Sequence, residues 1–236
     1  MSFASVSFLL FFLVVLLLLL LVQRVLPFAE IKRRIICQGI LLIASYVFYG
    51  WWNMRLCLLL MGITWISFFT AVKKDEKHLR QSRISLLIGV GTPLAVLGIF
   101  KYYDFFVTSF CDVFHLTPGV LNLILPVGIS FYTFQALSYT IDVYTGKIEK
   151  EKSFLQFALY LSFFPQLVAG PIVKASEFLP QLKENRKVTL AGLESGIQIF
   201  VFGMFKKVVL ADNISVFVDE VYRSPQIFGS GTVALA

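Results

Sequence analysis

Charge is scarce in this chain. Asp, Glu, Lys and Arg make up 15% of its 236 residues, where soluble domains carry about a quarter. Histidine occurs twice and cysteine three times, and Cys37, Cys57 and Cys111 lack the spacing of a metal site or a disulfide framework. No G-x-S-x-G elbow, phosphate-binding loop, dinucleotide fingerprint or metal-ligand helix occurs. These absences argue against a core buried from water and against the enzyme classes that carry those motifs. No metal and no resident cofactor is expected.

What is abundant is apolar. Hydrophobic residues reach 58%, with 25 phenylalanines, and mean hydropathy is +0.81. They fall in long blocks between short charged clusters, the pattern of a multi-pass membrane protein. The first block, Phe3 to Val22, has no positive residue ahead of it and no small-residue cleavage site after it, so it reads as a retained span rather than a signal peptide. Further spans are expected near 35–50, 54–72, 84–100 and 125–145. Arg24, Lys32, Arg33 and Arg34 form one basic cluster; Lys73, Lys74, Lys77, Arg80 and Arg83 form another. Both flank spans and fall on one side, which places them in the cytoplasm and the N-terminus outside. The net charge of +7 therefore argues for a bilayer, not a nucleic acid. Tyr46, Tyr49, Trp51 and Trp52 read as an interfacial aromatic belt. Gly89, Gly91 and Gly98 suit close helix approach, and Pro93 suits a kink. Residues 101–119 read as an outer segment, and Pro126 as the first turn of the fifth span.

The stretch "LYLSFFPQLVAGPIVKASEFLPQL" breaks the pattern. Phe154 to Phe164 is 11 residues, about 16 Å of helix and near half the hydrocarbon thickness. A full crossing there would put Lys174, Lys183, Arg186 and Lys187 outside, against the charge rule. The expectation is a re-entrant segment that turns at Pro165 and returns at Gly170-Pro171, helping to wall a polar cavity. The fold class expected is all-α: a polytopic transmembrane helix bundle with a re-entrant or broken helix segment. Residues 1–236 read as a single membrane domain, and the ending "GSGTVALA" as an interruption of a longer chain. Topology after about residue 190 is left open.

Candidate polar residues concentrate in "LPVGISFYTFQALSYTIDVYTG". As a helix, Gly128, Tyr132, Gln135, Tyr139 and Asp142 share one face within about 80°, a stripe too polar to turn toward lipid. Tyr132, Gln135, Tyr139, Asp142 and Gln166 are the candidates for lining a passage; Pro165, Gly170 and Pro171 would shape the bend. The plainer alternatives stay open: Asp142 lying at the interface beside Lys147, and Gln166 bonding carbonyls freed by Pro165. Lys206 and Lys207 fit interfacial snorkelling or contact with a phosphate-bearing donor, and Asp212 could cap a following helix. His78 and His115 lie outside the spans with no carboxylate noted at helical spacing, and read as bystanders.

That stretch, followed by "LYLSFFPQLVAGPIVKASEFLPQL" and then "GMFKKVVLADNI", resembles the membrane-bound O-acyltransferase family, in particular its alginate O-acetyltransferase branch. The resemblance is strongest over about 124–213. It implies a ring of helices around a thin centre, crossed by a tunnel. Through the tunnel an acetyl group would pass from a cytoplasmic thioester, acetyl-CoA or an acyl carrier, toward an exported polysaccharide. It further implies periplasmic or exported acetyltransferase partners and a bacterial inner-membrane location. The resemblance places the family's histidine on a later span, beyond Ala236, so it assigns no catalytic residue within this chain. Without that histidine, residues 1–236 alone are expected to be inactive. D-alanyl transfer to teichoic acid is the nearest alternative in the family. Outside it stand a transporter or export component, disfavoured by the lack of a repeated half, and a non-catalytic scaffold.

Overall fold

A computed structural model describes residues 3, 5–24, 29–75, 77–117, 119–168, 170–184 and 189–236. Arg186, Lys187 and Pro118 fall outside these residues. Every regular element among them is helical. The chain divides into two compact units, residues 15–185 and residues 1–14 with 186–236.

The larger unit holds most of α1 (Val6–Arg24), with α2 (Glu30–Gly50), α3 (Met54–Thr70), α4 (Leu79–Phe114), α5 (Ile129–Tyr144), α6 (Phe154–Ser162), α7 (Phe164–Leu167) and α8 (Ala175–Lys183). Two helices, α1 and α4, are long and apolar enough to cross a membrane, and α3 is a shorter apolar helix. Their outer faces carry apolar side chains: Leu17, Leu58, Trp65, Phe105 and Phe106 are all exposed. A water-soluble monomer rarely leaves so much apolar surface open; acyl chains cover it without cost.

Several boundaries differ from expectation. α4 runs on without interruption through Phe114, so 101–114 is helix rather than an outer loop, because no glycine or proline breaks that stretch. It ends at His115, which closes the helix in the left-handed conformation at φ 54°. α5 opens at Ile129, not at Pro126; the Ile129 amide donates to the Pro126 carbonyl in a turn just outside the helix. Gly128 therefore precedes the helix. Its φ of 74° belongs to glycine, and a Cβ there would run into the Leu167 carbonyl oxygen at the end of α7.

The broken segment is present, with its break two residues earlier than Pro165. Phe163 leaves helical geometry at ψ 109°, and Pro165 sits in the first turn of α7, where its missing N–H costs nothing. The groups freed by the break find partners. The Phe164 amide donates to Ser45 Oγ of α2 at 3.2 Å, and the Tyr160 carbonyl accepts from Gln166 Nε2 at 3.0 Å. Phe164 also packs against the Phe48 ring. Gly170, at φ 154°, and Pro171 then reverse the chain. The Tyr160 hydroxyl donates to the returning Val173 carbonyl at 3.0 Å, and α8 packs Phe178 on Tyr160 and Phe163. At the end of α8, Lys183 reaches Glu151, just ahead of α6. The segment ends where it began, as a re-entrant turn must.

The smaller unit contains α9 (Leu190–Phe205), α10 (Asp212–Arg223) and α11 (Ser230–Leu235), the last of which stops one residue short of Ala236. A π-helical stretch, Lys206–Ala211, joins α9 to α10 without a gap. Asp212 therefore does not act as a cap: Ala211 before it is already helical, and Asp212 instead accepts from Lys207 Nζ. The wider π turn brings residues five apart into register.

Two substitutions test this frame by thermal unfolding in detergent. Gly128→Ala is expected to destabilise by roughly 3 kcal/mol, combining left-handed strain with the Leu167 clash. Ser45→Ala should cost about 1–3 kcal/mol by orphaning the buried Phe164 amide. A Gly128→Ala protein as stable as wild type would refute the close approach.

Candidate functional site

The polar stripe of α5 faces protein. Tyr132, Gln135 and Tyr139 are 0%, 2% and 0% exposed, packed among α2, α3 and α6. The three do not share one environment. Tyr139 packs its ring against Phe157, tilted by 43° with centroids 4.5 Å apart, and its hydroxyl accepts from the Glu151 amide at 3.0 Å. Asp142, at the half-buried end of the stripe, accepts from Ser138 Oγ at 3.4 Å and pairs with Lys147 at 3.5 Å. Gln166 is occupied with the Tyr160 carbonyl. For Asp142 and Gln166 the plainer alternatives thus describe the contacts formed.

Tyr132 and Gln135 remain uncommitted. The Tyr132 hydroxyl faces that of Tyr49 on α2, yet among the described residues neither completes a well-aligned hydrogen bond, and Ser67 Oγ of α3 and Thr133 Oγ1 of α5 also lack partners there. Gln135 forms no hydrogen bond among the described residues. Beside this group the Tyr46 hydroxyl lies next to Thr64 and Ser162. A buried hydroxyl left open costs about 1–3 kcal/mol, so a set of them in an apolar bundle is suited to bonding a carbonyl or a water that is not part of the chain. In the sequence, Tyr46 and Tyr49 read as part of an interfacial belt. They point inward instead, while Trp51 and Trp52 are 63% and 62% exposed. Ser67 and Thr133, being small hydroxyls, read in sequence as ordinary packing residues without the facing helices.

Glu151 reads in sequence as one more charge in a charged loop. It is buried, and its carboxylate accepts from Lys183 Nζ at 2.7 Å and from the Lys152 and Ser153 amides. Burial opposes its ionisation, but the Lys183 ammonium and the two amides outweigh burial and hold the carboxyl below its ordinary range.

The histidines stay outside this region. His78 does have a carboxylate at helical spacing: its Nδ1 lies 2.9 Å from Asp75 Oδ2 in an exposed pair. Asp75 is drawn below its usual range by that bond and by the Lys77 amide. Lys206 lies over the Phe202 ring at 4.6 Å. Among the described residues no cluster of His, Cys, Asp and Glu could hold a metal ion.

Apolar outer faces, a helical bundle and a broken segment that folds back on its origin define a polytopic membrane protein with an internal polar seam. Residues 147–228 match the model of the membrane-bound O-acyltransferase family. The chain is 38% identical over 189 residues to the "Probable alginate O-acetylase" of Pseudomonas putida, covering 78% of this chain and 39% of that protein. It is 37% identical over 206 residues to the peptidoglycan O-acetyltransferase of Helicobacter pylori, covering 76% and 39%. A teichoic acid D-alanyltransferase of Streptococcus thermophilus is 30% identical over 95 residues, 39% of this chain and 23% of that one. This chain belongs to the membrane-bound O-acyltransferase family. It spans about two-fifths of the length of the first two relatives. Neither His78 nor His115, both exposed, stands beside the buried polar residues of α5. No solved structure matches the chain.

The Glu151 pairing sets a pH dependence. Because the folded carboxyl titrates below the unfolded one, its stabilisation is complete above the ordinary glutamate value of 4.5 and is lost as pH falls through the lower folded value. Glu151→Gln is expected to lower stability at pH 7 by about 1–3 kcal/mol and to flatten the acid limb of a melting-temperature profile. An acid limb unchanged by the substitution would refute the role of the pair.

Proposed function

We propose that the complete protein is a multi-pass O-acyltransferase of a bacterial cell membrane, oriented with its N-terminus outside. It moves acetyl groups from a cytoplasmic thioester, acetyl-CoA or an acyl carrier, toward O-acetylation of an exported, alginate-like polysaccharide. The observation that carries this reading is the likeness, over about three-quarters of the chain, to relatives named as O-acetylases of extracytoplasmic glycans. Partner acetyltransferases on the outer side would receive the acetyl group and hand it to the polymer.

In this reading the polar seam is part of the route. Tyr132 and Tyr49 hold buried hydroxyls that complete no hydrogen bond among the described residues, and Gln135 lies buried on the same face of α5. Such groups favour a thioester or ester carbonyl over an alkyl chain and would orient it within an otherwise apolar bundle. Tyr139, Asp142 and Gln166 support the wall through contacts already made, and Pro165, Gly170 and Pro171 shape the turn beside it. D-alanyl transfer to teichoic acid is a second reading, favoured by the Streptococcus relative.

Tyr132→Phe and Gln135→Ala in the complete protein are expected to lower polysaccharide acetylation roughly tenfold, equivalent to about 1.4 kcal/mol, with membrane insertion unchanged. Full acetylation by both variants would count against the seam as the route. Supplying labelled acetyl and D-alanyl thioesters in parallel separates the two readings: label retained only from D-alanine would replace the acetyl assignment.

A further inference from the structure

Two loops far apart in sequence meet at the C-terminal end of α3. The Lys74 amide donates to the Tyr144 carbonyl at 3.0 Å. The Lys73 side chain lies over the Gly146 turn, where φ is 77° and a Cβ would come 3.2 Å from Lys73 Cε. Lys150 Nζ sits 5.4 Å from the centroid of the Phe68 ring in the last turn of α3, and Lys152 follows in the same loop. Basic residues from 73–74 and from 150–152 thus share one edge of the bundle.

Most of the nearby carboxylates are taken; Glu149, exposed in the same loop, pairs with no cation among the described residues. Asp142 pairs with Lys147, Glu151 with Lys183, and Asp75 with His78. Lys73, Lys74, Lys150 and Lys152 have no carboxylate partner among the described residues. Burial against Phe68 also disfavours the charged form of Lys150, a cost that a neighbouring anion offsets. Immediately below this edge, α3 turns Trp65 and Phe69, and α5 turns Ile141, outward. Phe69 and Lys73 are four residues apart, so the ammonium groups lie at the level where an apolar, acyl-chain-facing surface gives way to headgroups.

We propose that Lys73, Lys74, Lys150 and Lys152 form a binding edge for the phosphate headgroups of anionic phospholipid. The adjoining apolar face favours a lipid over a soluble phosphate, because one molecule can satisfy both surfaces. Each lysine reaching the headgroup layer contributes on the order of fivefold in affinity for an anionic lipid, weakened by salt. The proposal needs the membrane setting but not the acyl-transfer reading, and its test does not use activity.

The complete protein would be placed in nanodiscs of mixed phosphatidylcholine and phosphatidylglycerol, and lipids retained on extraction would be counted by native mass spectrometry. Wild type is expected to retain phosphatidylglycerol several-fold above the bulk ratio. Substituting the four lysines with glutamine should return the ratio to bulk, and substituting them with arginine should preserve it. The arginine protein controls for folding, as does thermal unfolding of the glutamine protein in neutral lipid. Bulk-ratio retention by wild type, or enrichment surviving in the glutamine protein, would overturn the proposal. Displacement of the bound lipid by millimolar coenzyme A or inorganic phosphate would instead assign the edge to a soluble phosphate, and would overturn it equally.

Discussion

Where a backbone leaves the helix inside an apolar bundle, its N–H and C=O groups have no water to turn to, and each must find a partner within the protein. Phe163 is such a place. The amide that follows it turns to Ser45 of α2, and the Tyr160 carbonyl accepts the Gln166 side chain. With those bonds made, a proline in the next position costs little, and the chain is free to reverse at Gly170-Pro171. The position of α8 and the Lys183–Glu151 pair follow from that reversal, and the tight contact of Gly128 with α7 from the break before it.

The same reversal organises the polar interior. α6 and α7 supply the wall against which α5 lays Tyr139, whose hydroxyl is drawn to the Glu151 amide at one end of the stripe. Toward the other end Tyr132 meets Tyr49 without a completed bond. The stripe is therefore graded from groups that hold the fold together to groups with spare hydrogen-bonding capacity. A buried polar network that is fully satisfied rigidifies a core; one left partly open keeps hydrogen-bonding capacity in reserve.

Much of this was legible from residue order. Composition and the spacing of basic clusters point to a bilayer, because charge cannot be hidden in one. A run of 11 apolar residues ending in Pro-Gln, followed by Gly-Pro, points to an interrupted helix, because proline removes a donor and glycine permits the reversal. The burial of Tyr132, Gln135 and Tyr139 follows from helical periodicity alone. Other features were not legible for definable reasons. The break falls at Phe163 because Ser45, 119 positions before Phe164 in sequence, offers an acceptor to the Phe164 amide. Tyr49 faces inward because α5 supplies a neighbour, and an aromatic near a helix end fits a belt or a core equally well by sequence. Asp212 resembles a cap only until the π turn carries the helix through it.

By itself, then, the order of residues settled where the chain must avoid water, which helix faces must be covered and where the backbone could bend, since these depend on transfer free energies and local dihedral preferences. Partnership was decided only in three dimensions. Which lysines are neutralised and which stay free, which hydroxyls are spent and which remain open, depends on groups brought within about 3 Å of each other from distant parts of the chain, and hydrogen bonds and close ion pairs vanish beyond that reach.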